Sequence, residues 1–169
     1  IYPPVRTDWI EKRKEGERGE GFLCVSALVP YKNVDAIVRA FNELPEKLFV
    51  VGDGPERSSI EKLASSNVKF LGKISDSELA QLYKKAKALI CAAEEDFGMV
   101  PVEMQAAGRP VICLGQGGSL ETVSVNGKYK TGIYFSSLEQ KHIISAIKQF
   151  TVQQDDFTVD NCINYAKNF

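Results

Sequence analysis

The sequence predicts an α/β domain: a doubly wound, Rossmann-like parallel sheet with helices on both faces. Two observations carry this. Short, continuously apolar runs alternate with amphipathic segments across brief connections, the signature of parallel strands covered on both sides. The alternation recurs as about six βα units, which fits a doubly wound sheet. Such sheets bind ligands at the C-terminal strand ends, near the point where strand order reverses. The residues with chemical potential in this chain fall at strand-to-helix connections.

Taken in order, Phe22-Leu23-Cys24-Val25-Ser26 reads as a buried strand. Val34 to Asn42 follows as a helix, with Val34, Ile37, Val38 and Phe41 on one face. Lys47 to Val51 is the next strand, stopped by Gly52-Asp53-Gly54-Pro55, and Pro55 suits the first turn of a helix to about Ala64. Val68 to Leu71 is a strand, and Gly72 turns the chain. Ser75-Asp76-Ser77-Glu78 matches a capping box for a helix with Leu79, Leu82 and Tyr83 on its apolar face. Ala88 to Ala92 is a strand, and Gly98 begins a helix that ends at Gly108. Pro110 to Leu114 is a strand leading into the loop Gly115-Gln116-Gly117-Gly118. Gly132 to Phe135 and Leu138 to Phe150 supply a last strand and helix, and Asp160 to Phe169 a terminal helix. His142 lies on a predicted helix beside Ile143 and Ile144, where a surface or core role is expected.

A chain of 169 residues suits one domain with a proper core. Its 44% hydrophobic and 25% charged content argues against disorder. Lys and Arg total 21 against 22 for Asp and Glu, so charge offers no case for nucleic acid as a partner. Cys24, Cys91, Cys113 and Cys162 form no C-x-x-C pair, and the first three lie in strand-like runs, so buried reduced thiols are expected. A single histidine, His142, excludes a multi-histidine metal cluster. With no signal peptide pattern and no apolar stretch of spanning length, a reducing, cytoplasmic setting is expected. The opening Ile1-Tyr2-Pro3-Pro4-Val5 is stiff and extended, and there is no initiating Met. Residues 1–20 are therefore expected to be an interdomain linker leading into a domain over 21–169, itself excised from a longer protein.

The strongest constellation is Glu95-Asp96-Phe97-Gly98-Met99-Val100-Pro101-Val102-Glu103. Gly98 permits close approach of backbone to a ligand, and the free N–H groups that follow open a helix, a ready phosphate site. Glu95 precedes the turn, and Glu103 lies more than a turn into the helix, so a diphosphate could sit between a sugar and a ribose. On residues alone the plainer reading is preferred, with Glu95 and Asp96 complementing the helix dipole and Glu103 on a solvated face, because acidic residues near helix starts are common.

This E-x7-E pattern, inside E-D-F-G-M-V-P-V-E-M-Q-A-A-G-R-P-V-I, resembles the family-4 retaining glycosyltransferases of the GT-B fold. Pro3-Pro4-Val5 is similar to their interdomain linker and Val29-Pro30-Tyr31-Lys32-Asn33 to their first βα loop. Gly52-Asp53-Gly54-Pro55, Phe70-Leu71-Gly72 and Gly117-Gly118-Ser119-Leu120-Glu121 also match. The resemblance implies that Glu103 accepts hydrogen bonds from the nucleotide ribose and that Glu95 contacts a sugar hydroxyl near the reacting carbon. It implies that backbone N–H groups around Phe97, Gly98, Met99 and Val100 hold the diphosphate or sugar. It implies that Lys32 neutralises the leaving diphosphate, and that Ile74 and Asp76 belong to the base-binding loop. The family commonly places an Arg five residues before this Lys, where the chain has Ala27.

The expected activity is retaining hexosyl transfer from a nucleoside-diphosphate sugar, with GDP-mannose the first choice and UDP-glucose open. The setting is polysaccharide or glycolipid assembly, with no cofactor or metal and the nucleotide sugar as substrate. A saccharide or lipid-linked acceptor would be handled by an N-terminal GT-B domain absent from this chain. That missing half would also account for any peripheral attachment at the inner face of the membrane, and without it the chain is expected to be inactive. Two rivals stand beside this: a nicotinamide-dependent oxidoreductase or epimerase, and a non-catalytic sugar-nucleotide-binding module. The first is disfavoured by the Ala27–Lys32 loop, which has no glycine to cradle a pyrophosphate.

Overall fold

A computed structural model describes residues 2–169. Six strands form one parallel sheet: β1 (Phe22–Val25), β2 (Leu48–Val51), β3 (Val68–Gly72), β4 (Ala88–Cys91), β5 (Val111–Leu114) and β6 (Gly132–Phe135). Their order is β3-β2-β1-β4-β5-β6, and every pairing is parallel. Order therefore reverses between β1 and β4, and the crevice at that point opens beyond the C-terminal ends of these two strands. This is the doubly wound sheet expected.

Both faces of each central strand are apolar because both are covered. Phe22 and Cys24 enter one core with Ile90 and Ile112, packed under α1 (Val34–Asn42), α2 (Arg57–Leu63) and α6 (Gln140–Gln153) through Ile37, Phe41, Ile60 and Ile147. Leu23, Leu89, Val111 and Cys113 enter the other. There they meet α3 (Asp76–Lys85), α4 (Met99–Ala106) and α7 (Val159–Ala166) through Tyr83, Met104 and Ala166. The period-2 alternation thus divides the strand residues between two cores, and each core seals one face from water.

The expected helices over Val34–Asn42 and around Ser75 form as anticipated. At Ser75 both halves of the capping box are present. The helix after β2 begins later than its proline suggests. Gly54 C=O accepts from Arg57 N at 3.1 Å, so Pro55 sits in a turn ahead of the helix. A one-turn helix, α5 (Ser119–Thr122), follows the glycine loop after β5, and four residues are too few for periodicity to reveal it. All four cysteines are free thiols, three of them buried. His142 lies on α6 with its Nδ1 2.7 Å from Ser137 Oγ.

Residues 3–20 form no helix or strand, yet they are pinned to the domain. Arg13 Nε donates to Gly108 C=O at 2.6 Å and its Nη2 to Phe157 C=O at 3.1 Å. The buried Arg109 donates to the carbonyls of Lys84 and Glu17, at 2.6 and 3.0 Å. Burial against these neutral acceptors, with the Arg13 charge alongside, lowers the Arg109 pKa to about 10.

Candidate functional site

The switch point brings together two connections that lie far apart in sequence. After β1 the chain passes Ala27 and closes a single 3-10 turn, Pro30–Lys32. Asn33 ends that turn at φ 52°, a left-handed conformation that asparagine tolerates better than most residues. Its Nδ2 donates to Tyr31 C=O at 3.1 Å and to Ala92 C=O at 3.0 Å, so the β1 loop is stitched to the end of β4. Lys32 Nζ is thereby aimed at the β4 loop, where it forms an ion pair with Glu95 Oε1. The same ammonium stands 4.9 Å from the Tyr31 ring centroid.

Beyond Glu95 the chain turns at Gly98, whose φ of 88° is costly for any residue with a Cβ, and enters α4. No side chain caps this helix. Lys32, Glu95, Gly98, Met99 and Val100 line a cavity of about 560 Å³ over the C-terminal ends of the central strands. A second, more open cleft of about 760 Å³ shares Tyr31 and Glu95 with the first. Glu95 thus stands on the wall between two spaces.

Glu103 follows Met99 and Val100 by four and three residues, which puts it on their face of α4. It is half-buried, and Tyr83 donates its hydroxyl to Glu103 Oε2 at 2.7 Å. Burial pushes the Glu103 carboxyl above the usual range, the Tyr83 hydrogen bond pulls it back, and the nearby Asp76 charge raises it further. Asp76 itself is exposed in the first turn of α3, and Ile74 packs into the second core. Neither of these, nor Glu103, lines the cavity, but Lys73 from the same β3–α3 connection does. The Phe97 side chain leaves the site for an aromatic cluster with Tyr2 and Phe169, each centroid at 5.6 Å. Phe97 lines neither the cavity nor the second cleft.

The sequence profile described as Glycosyl transferases group 1 matches residues 5–169. The chain belongs to this family.

The GDP-mannose-dependent alpha-(1-6)-phosphatidylinositol monomannoside mannosyltransferase of Mycobacterium tuberculosis is 30% identical to this group 1 glycosyltransferase chain over 171 residues. That match covers 90% of this chain and 43% of the relative. The chain therefore spans under half the length of that curated relative. Among solved structures, the C-terminal domain of a glycosyl transferase group 1 family protein from Francisella tularensis superposes with a TM-score of 0.75. It shows 14% identity, over 98% of this chain and 97% of that one. Anabaena HepE, solved in complex with UDP and glucose, gives a TM-score of 0.74 at 22% identity, over 89% of this chain and 44% of that one. These superpositions establish the GT-B glycosyltransferase fold.

Several residues that shape the candidate site carry no assignment from the sequence. Asn33 and the pair Gly117-Gly118 lie in recognisable segments, but their work is tertiary. Gly118 N donates to Glu95 C=O at 2.6 Å, and Glu95 and Gly117 form an isolated parallel bridge. A Cβ on Gly118 would stand 2.5 Å from Phe97 Cα and 2.6 Å from Asp96 O, so only glycine lets the β5 loop clamp the Glu95–Phe97 segment. Tyr83 reads as an apolar helix-face residue, and only the packing of α3 on α4 discloses its hydroxyl contact. Lys73 carries no sequence signal beyond its place after Gly72.

Proposed function

We propose that this chain is the donor-binding half of a retaining glycosyltransferase that takes a nucleoside-diphosphate sugar, with GDP-mannose the first choice. One observation carries the reading: an uncapped helix N-terminus opens into the switch-point cavity, with Glu95 before it and Glu103 one turn inside it. The N–H groups at the start of α4 are donors without a side-chain partner, in the place where a helix best accommodates phosphate. A ribose above Glu103 would donate its hydroxyls to that carboxylate. A sugar beyond the diphosphate would lie against Glu95, on the wall shared with the second cleft, which suits the approach of an acceptor. The backbone at Gly98, Met99 and Val100, with Phe97 just before it, would complete the donor contacts, and a base reaching past the cavity wall at Lys73 would meet Ile74 and Asp76.

Transfer breaks the bond between the sugar's anomeric carbon and the diphosphate oxygen, and forms one to an acceptor oxygen. Negative charge then collects on the departing diphosphate. Lys32 is the group that would meet it, and a preplaced cation is most effective where charge develops. In the free chain Glu95 holds that ammonium in position. Donor binding would hand it from carboxylate to phosphate and release Glu95 to the sugar. No cofactor or metal is required by this scheme.

The preference for GDP-mannose rests on the mannosyltransferase likeness, whereas the HepE complex keeps UDP-sugars in the comparison. Residues 1–20 would link to an N-terminal domain that binds a saccharide or lipid-linked acceptor, and the chain alone would turn over little substrate. The setting would be cytoplasmic, with any membrane attachment made through the other half. Thermal-shift titration with GDP, UDP, ADP and their sugar conjugates tests the reading, because a ligand of the native state raises the apparent melting temperature. Stabilisation by NAD, with none by the diphosphates, would overturn it.

A further inference from the structure

Two lysines, Lys32 and Lys73, line the switch-point cavity. Lys32 is already ion-paired with Glu95. Arg57 is held outside by Asp53 at 3.5 Å and Glu61 at 2.7 Å. Lys73 is exposed and forms no ion pair among the described residues. The β1 loop brings Ser26, Ala27, Tyr31 and Lys32 to the wall and the β2 loop Gly52 and Asp53, so Lys32 is the one positive charge these two loops supply. A nucleoside diphosphate brings more than one negative charge into this space. One lysine, already paired with a carboxylate, leaves much of that charge uncompensated against an apolar sheet end, where such charge is expensive.

We infer that Lys73 is a donor-binding residue that completes a two-lysine clamp on the diphosphate, opposite Lys32. The two lysines divide the phosphates by position. Lys32 is tied to Glu95 at the edge shared with the second cleft, so it meets the phosphate that carries the sugar. Lys73 leads into α3, whose Tyr83 hydroxyl donates to Glu103 at 2.7 Å, so it meets the phosphate next to the ribose. This assignment rests on the nucleotide-sugar reading given above, and it places the clamp on two separate βα connections. Nucleotide binding would therefore tie the β3–α3 loop to the β1 loop.

The test is calorimetric titration of the 169-residue chain and of its K73M and K73R variants with GDP, GMP and UDP at several salt concentrations. Because Lys73 is exposed, both variants should melt with the wild type. K73M should bind GDP and GMP about tenfold or more weakly, with a shallower dependence on salt, and K73R should regain most of the loss. A K73M variant that binds both nucleotides as tightly as the wild type, with the same salt dependence, removes this assignment alone. A wild-type chain that binds neither GDP nor UDP removes the nucleotide reading and this assignment with it.

Discussion

Lys32 and Glu95 meet as an ion pair at the reversal point of the sheet, joining the loop after β1 to the loop after β4. The lysine is mostly covered and the carboxylate about one-third exposed, so the pair sits at a rim where water and a ligand both reach it. A pair of this exposure adds at most about 1 kcal/mol to stability. Its value is positional.

Lys32→Met should therefore melt within a few degrees of the wild type yet fail in catalysis. In the protein carrying both halves, transfer should fall by about 10²–10³, the usual loss when one preplaced charge-stabilising group is removed. Steady-state rates measured beside a melting curve separate the two effects. A large loss of stability with unchanged turnover would make the pair purely structural.

Glu103 links pH to both stability and binding. Its carboxyl is raised in the folded chain, chiefly by burial, so the folded protein holds that proton more tightly than the unfolded chain. The sign follows: this group favours the fold at low pH, and the benefit is lost as pH rises through the folded pKa. Glu103→Gln keeps an acceptor for the Tyr83 hydroxyl and removes the buried charge. The variant should melt higher than the wild type at neutral pH, with the difference closing in acid, while its affinity for GDP falls about tenfold or more. Differential scanning calorimetry across pH reads the first effect. A variant that melts lower at neutral pH would show the carboxylate to be stabilising.

Gly118→Ala should damage the site from outside it. The new methyl would collide with Phe97 Cα and the Asp96 carbonyl, both backbone, which cannot yield as a side-chain end can. Denaturant titration should show a loss of about 1–3 kcal/mol, the usual cost of overpacking, together with weaker nucleotide binding. Unchanged stability would mean that the β5 loop does not clamp the Glu95–Phe97 segment.

Asn33→Gly tests whether the stitch to β4 positions Lys32. Glycine keeps the left-handed turn but loses the hydrogen bond to Ala92 C=O at 3.0 Å. Stability should fall by about 1 kcal/mol, with turnover reduced more than donor affinity. Equal losses in both would make Asn33 a binding contact rather than a positioning one.

The sheet was readable because its strands are continuous apolar runs, such as Val111-Ile112-Cys113-Leu114, that only a doubly covered sheet can use. The capping box at Ser75 and the turn at Gly98 were readable because each writes a backbone rule into a few adjacent residues. Pro55 misplaced a helix start, since a proline that suits a first helical turn also suits the turn before it. At the site, Lys32, Glu95, Gly98, Met99 and Val100 line one cavity; Phe97, Ile74, Asp76 and Glu103 do not line it, although Glu103 lies on the helix face of Met99 and Val100. The contact between Tyr83 and Glu103 was not readable, because two residues 20 apart, on separate helices, must be packed together before hydroxyl and carboxylate meet. Lys73 was missed for a similar reason: an exposed loop lysine acquires meaning only from the cavity it borders.

The division of labour between Glu103 and Glu95 is most directly tested by calorimetric titration of the wild type, Glu103→Ala and Glu95→Ala with GDP and with GDP-mannose. Glu103→Ala should weaken both ligands alike, because both carry the ribose. Glu95→Ala should leave GDP binding nearly unchanged and weaken GDP-mannose alone. Equal loss of bare GDP binding in the two variants would contradict the account.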